Sequence, residues 1–210
     1  MRNQWNICLN IRTNRMIGYP KPSTASNNKT MTTYISILRG INVSGHRLIK
    51  MDALKALFAG LGCAEVQTYI QSGNVVFRHP ETDPNALDTA IQNAIREQFG
   101  FDVPTITLTA PELEAIAQAN PFLTDSRIDL AHLHVTFLAA PPSPALAEKL
   151  NDIRFPPDEF QLLGSAIYVH CPNGYGNTKL TNGLFETKLQ VAATSRNWKT
   201  VMELVRKVGK

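Results

Sequence analysis

The chain has 210 residues, 43% hydrophobic and 18% charged, which suits a folded chain with one large core or two small ones and argues against disorder throughout. No run approaches the roughly 20 apolar residues of a membrane-spanning helix. The net charge of +4 is uneven: residues 1–30 carry +5, residues 31–50 carry +3, residues 51–173 carry −9 and residues 174–210 carry +5.

Residues 1–30 contain Arg2, Arg12, Arg15, Lys21 and Lys29 and no acid. They lack the apolar stretch of a secretory signal and only weakly resemble a transit peptide. The expectation is a disordered leader or a start assigned too early, with Met31 as the functional first residue.

From Tyr34 to Leu38 the pattern predicts a strand. A loop with two glycines follows, from Arg39 to Arg47. Leu54, Leu57, Phe58 and Leu61 then share one face of a helix that Gly62 ends. Thr68 to Phe77 reads as a β-hairpin around Gln71-Ser72-Gly73-Asn74, with Gly73 supplying the positive φ of the turn. Ile70, Val75 and Phe77 are expected to face a core, and Tyr69 and Gln71 the opposite side. Asp83-Pro84 opens a second helix as N-cap and first residue, with Leu87, Ile91 and Ile95 in line. Val103 to Leu108 is a strand, and Thr109 to Glu112 is a capping box opening a third helix.

The order βαββαβ is that of a ferredoxin-like, split-βαβ unit. The sheet face away from the helices is expected to carry Tyr34, Ser36, Tyr69, Gln71, Thr105 and Thr107, and to pack on the second half. The fold class is thus α+β: a ferredoxin-like subdomain over 31–122 and a second, related α+β subdomain over 123–210.

In that second half, His132 to Leu138 is a strand. Ser143 caps a helix through Leu150, and Glu159 to Leu163 with Ile167 to His170 form a hairpin about Gly164-Ser165. A Gly-rich basic loop runs from Pro172 to Thr181. Helices follow near Leu184 to Leu189 and over Trp198 to Val208. This order, βαββα, echoes the first half without a sequence repeat.

Motifs for chemistry are sparse. There is no P-loop, and Gly174-x-Gly176-x-x-Lys179 only half matches a dinucleotide fingerprint. His132-x-His134 and His170 lack a clear further ligand. No G-x-S-x-G occurs. The cysteines Cys8, Cys63 and Cys171 are scattered, with no C-x-x-C, which argues against zinc and disulfides and for a reducing, cytoplasmic setting. No metal or cofactor is implied. A body charge of −1 from residue 31 onward, and the lack of an RNA-recognition aromatic pattern, leave nucleic-acid binding weakly supported.

What converges is a set of glycines and cations in loops before helices, a combination suited to anions. Arg39, Lys179 and Arg196 are the candidate charge partners of a phosphate- or carboxylate-bearing ligand. Asn42, Gln71 and Asn74 are candidates to orient it in a basic cleft between the halves. Three cations with no anion would repel. An enzyme acting on such a ligand, with His46 as acid or base, is one alternative. A nucleic-acid-associated or protein-interaction module is another.

Leu38-Arg39-Gly40-Ile41-Asn42-Val43, Met51, Thr68 to Phe77, Lys179-Leu180-Thr181-Asn182, Lys188-Leu189 and Arg196-Asn197-Trp198 together resemble the bacterial family called domain of unknown function 1697. The resemblance runs from about Met31 to the C-terminus. Ser44 and Gln190 stand where the family usually has glycine. It implies a two-part α+β fold with a ferredoxin-like first half, and it brings no established activity or catalytic residue.

Overall fold

The computed structural model describes residues 30–209 apart from Ser44; all of the expected leader except Thr30 lies outside the described residues. The first half builds β1 (Thr32–Leu38), α1 (Met51–Gly60), β2 (Ala64–Tyr69), β3 (Asn74–His79), α2 (Pro84–Phe99), β4 (Thr105–Thr109) and α3 (Ala110–Gln118). The second builds β5 (Leu133–Leu138), the single turn α4 (Pro144–Ala147), β6 (Glu159–Leu163), β7 (Ala166–His170), α5 (Asn182–Leu189), β8 (Ala193–Asn197) and α6 (Trp198–Val208). Each half is a four-stranded antiparallel sheet, in the orders β2-β3-β1-β4 and β6-β7-β5-β8. Both orders are those of the split-βαβ unit, so the duplication is fuller than the expected βαββα.

The strand missing from that expectation is β8. Its Ala-Thr-Ser-Arg-Asn sequence has no β-branched or aromatic run to announce it. Pairing with β5 creates it: Ser195 lies opposite Thr136 and their hydroxyls bond at 2.6 Å. The first half has the same pair, Ser36 opposite Thr107, also at 2.6 Å. The expected helix from Ser143 to Leu150 is likewise shortened to α4 and a 3-10 turn, and Ser143 makes no side-chain cap bond.

Helix starts follow local chemistry. Asp83 accepts from Asn85 N–H at 2.9 Å with Pro84 at the first position, and Thr109 and Glu112 form a reciprocal capping box. On α6 the cap is Asn197, which accepts from Thr200 N–H at 2.8 Å.

Three cores hold these layers. Leu54, Phe58, Leu87, Ile91 and Ile95 of α1 and α2 pack on Tyr34, Leu38, Val75 and Phe77. Phe185 and Leu189 of α5 pack on Ile167 and Val169 of the second sheet. Between the sheets lie α3 and α6, where Leu113, Ala117, Trp198, Val201 and Leu204 meet Ile35, Ile37, Ile106, Val135 and Phe137. The face expected to pack on the second half does so, but its membership is corrected. Ile35 and Ile37 point to the other half, while Tyr34 and Ser36 are buried on the helix side with Thr107. Strand alternation cannot reveal which face is which when both are buried. Ile70 is corrected too: it is a turn residue at φ 49°, half exposed rather than core.

Below α2, Asp88 faces the hydroxyl and N–H of Thr107. Burial pushes its carboxyl up to about 6, and the Thr107 bonds offset only part of that. One carboxyl oxygen is buried with no partner among the described residues. A carboxyl whose pKa is raised on folding contributes most below its unfolded value near 3.8, and that contribution is lost as pH rises through 6. Asp88→Asn is therefore expected to stabilise the protein at pH 7 by about 1–3 kcal/mol, with the gain vanishing near pH 4. Urea denaturation at both pH values measures it; an equal shift at the two would disprove the ionisation account.

Candidate functional site

The segments Leu38 to Val43 and Tyr69 to Asn74 interlock at the end of β1. Leu38 N–H donates to the Gly73 carbonyl at 2.8 Å. Asn42 sits at φ 55°, and its amide donates to the carbonyls of Ile49 (3.0 Å) and Gln71 (2.9 Å) while its oxygen accepts from Ile49 N–H (2.9 Å). One side chain thus ties the 42–49 loop to the hairpin turn and fixes the start of α1.

The second half locks onto this knot through Arg196. Its Nε donates to Asn74 Oδ1 (2.6 Å) and Nη2 to the carbonyls of Leu38 (2.8 Å) and Ser72 (2.9 Å). Nη1 donates to Thr194 Oγ1 (3.1 Å) and the Ser195 carbonyl (2.8 Å). Every N–H of the guanidinium has an acceptor and none of the acceptors is a carboxylate. Burial pushes its pKa down to about 10, so it remains charged at neutral pH. Asn74 is fully buried, its amide nitrogen donating to Tyr69 carbonyl and Ser72 Oγ.

Of the six residues expected at a ligand site, Asn74 and Arg196 meet, and they spend their polar atoms on each other and on backbone. Arg39 pairs with Glu186 of α5, whose carboxylate also accepts the Ala193 N–H at 3.0 Å. Lys179 lies elsewhere, its ammonium 5.5 Å from the Phe155 ring centroid. The two arginines are therefore each engaged within the protein and Lys179 faces an aromatic ring, rather than the three being held for one shared anion. A cation between two packed halves needs local dipoles or a carboxylate to offset its lost hydration, and each of the two arginines has found its own.

Asn42 and Gln71 do come together. With Leu48, Ile49, Lys50 and Met51 they line a groove of about 340 Å³. Lys50 occupies the N-cap position of α1 and makes no side-chain cap bond, so the first N–H groups of the helix have no capping side chain. Asp52, in the first turn, is the nearby acid. Around the groove Val43, Leu48 and Ile70 are exposed.

A family profile described as "Protein of unknown function (DUF1697)" matches residues 31–168, more than half of the chain. The chain belongs to this family. A solved structure described as that of conserved bacterial protein SP0830 from Streptococcus pneumoniae is similar in fold: 21% identity, TM-score 0.67, covering 85% of this chain and 99% of that one. Among curated proteins none matches.

This DUF1697 protein also holds a polar network that the residue patterns did not single out. Tyr175 donates to Ser195 Oγ (2.8 Å), and Ser195 donates to Asn182 Oδ1 (2.6 Å). The one hydroxyl hydrogen of Ser195 is thereby engaged, so Thr136 donates to Ser195. The His134 ring stacks on Tyr175 with centroids 4.3 Å apart, and its Nδ1 is buried with no partner among the described residues. Burial lowers the His134 pKa and raises that of Tyr175. The network lacks the arrangement of an activated nucleophile, because an amide oxygen cannot take the Ser195 proton. His132 lies in the 3-10 turn before β5 rather than on the strand with His134. Among the described residues no group of histidine, cysteine, aspartate or glutamate could hold a metal ion. No helix among them is long and apolar enough to cross a membrane.

Proposed function

We propose that this protein is a cytosolic binding module for a phosphate- or carboxylate-bearing ligand, held in the groove beside the junction of its halves. The observation that carries this reading is the groove itself: Asn42, Lys50 and Gln71 converge on the uncapped start of α1. Unpaired helix N–H groups and a neighbouring ammonium favour an anion. Arg39 and Arg196 act from behind by fixing the knot that shapes the groove, and Lys179 lies outside it. The unpaired, buried thiols of Cys63 and Cys171 support a reducing compartment.

Inorganic phosphate is expected to raise the melting temperature of the wild type more than chloride at matched ionic strength, because binding to the native state alone shifts the equilibrium. Lys50 and Gln71 are exposed, so Lys50→Ala combined with Gln71→Ala should fold normally. The double variant should lose most of the phosphate gain. An equal gain in both proteins would reduce the effect to general salt stabilisation and sink the proposal.

A further inference from the structure

Four strands lie at sheet edges, and three of them are closed by their own devices. β2 is kinked by a bulge between Ala64 and Gln67, with Glu65 at φ 54°. β4 has its Thr107 N–H facing Asp88. β8 gives its Ala193 N–H to Glu186 and its Ser195 carbonyl to Arg196. Such devices prevent edge-to-edge pairing.

The β6 edge has none. Glu159–Leu163 is regular, without bulge, proline or lysine. The two-residue Gly164-Ser165 turn makes Leu163 and Ala166 the closing hydrogen-bonded pair. Counting back by twos, Gln161 and Glu159 also bond to β7. The N–H and C=O groups of Phe160 and Leu162 therefore point outward. Among the described residues no side chain or loop bonds to them.

We propose that β6 pairs with β6 of a second copy of this chain, antiparallel about a two-fold axis at Gln161. In that register Phe160 of each copy exchanges two hydrogen bonds with Leu162 of the other, which satisfies all four outward groups on each strand. Gln161 faces Gln161, and Glu159 faces Leu163, so no like charges are opposed. The Leu163 side chain, 45% exposed in the single chain, gains the aliphatic stem of glutamate as a neighbour. Phe160 and Leu162 line a groove of about 630 Å³, together with Leu150 and Ile153. The second copy would close its open side with the same two apolar residues, and the interface is isologous, as a closed dimer requires.

Sedimentation velocity of the full chain through the micromolar range tests this. The wild type is expected to sediment as a dimer, and Gln161→Lys, which sets two cations face to face, as a monomer that still unfolds cooperatively, with a melting temperature below that of the wild type only by the lost association. In a Cys8→Ser background, Gln161→Cys should form a covalent dimer on mild oxidation. A non-hydrogen-bonded antiparallel pair brings its Cβ atoms to roughly 4.5–5.5 Å, near disulfide range. Leu163→Cys should not cross-link, since its partner is Glu159. A wild type that stays monomeric, as it would if the edge served an extended peptide of another protein, overturns the proposal. So does a dimer that Gln161→Lys leaves intact, or one that cross-links at Leu163→Cys instead.

Discussion

Arg196→Ala is expected to destabilise the protein by roughly 3–5 kcal/mol, because several buried neutral acceptors lose a charged donor at once. The truncation leaves the Leu38 and Ser72 carbonyls and Asn74 Oδ1 without their donor at the junction of the halves. Each lost bond from a charged donor is worth about 1.5–3 kcal/mol, and relaxation returns part of it. Arg196→Lys should recover little. It keeps the charge, but a point ammonium with three donors cannot serve five acceptors spread around a planar fork. Asn74→Ala should cost less, about 1–3 kcal/mol, and the double variant should fall well short of the sum because the two residues share one network. Urea midpoints of the four variants and the wild type decide the matter. If Arg196→Lys is as stable as the wild type, the guanidinium geometry is irrelevant and the cation alone suffices.

Gly73→Ala is expected to cost about 2–4 kcal/mol, and Gly73→Val more, from two separable causes. Gly73 sits at φ 79°, where a β-carbon costs about 1 kcal/mol. The β-carbon would also lie 2.8 Å from Leu38 Cβ and 2.9 Å from Ile41 Cδ1. Leu38 Cβ can yield only if its strand moves, which places the clash in the overpacking range of about 1–3 kcal/mol. Gly100 is the internal control. It has φ 80° and nothing within 4 Å of an added β-carbon, so Gly100→Ala should show the conformational part alone. Equal losses at the two positions would mean that close packing at Gly73 contributes nothing.

The interlock explains why Leu38 to Val43 and Thr68 to Phe77 stand out as motifs. Gly73, Leu38 and Ile41 pack without room for a β-carbon, and Asn42 bonds three backbone groups in two loops. These residue types are demanded by folding at that spot. The groove that they shape lies on the outer side of the same knot, where Lys50 and Gln71 are exposed.

Local chemistry in the sequence determined the α+β class, the βαββαβ order of the first half, the caps at Asp83 and Thr109, the hairpin with Gly73 at positive φ, and α6 from Trp198 to Val208. Each rests on residues within a few positions of one another, where spacing, capping and turn preference act directly. Only the tertiary structure decided β8, the sheet face taken by Tyr34 and Ser36, and the fate of the cations. β8 exists because Ser195 meets Thr136, 59 residues away. Arg196 finds its acceptors 122 and 158 residues away, and Arg39 its carboxylate 147 residues away. A cation in a loop looks the same in sequence whether it awaits a ligand or clasps two halves. The difference lies in which distant carbonyls and carboxylates the packing of the two sheets brings to it.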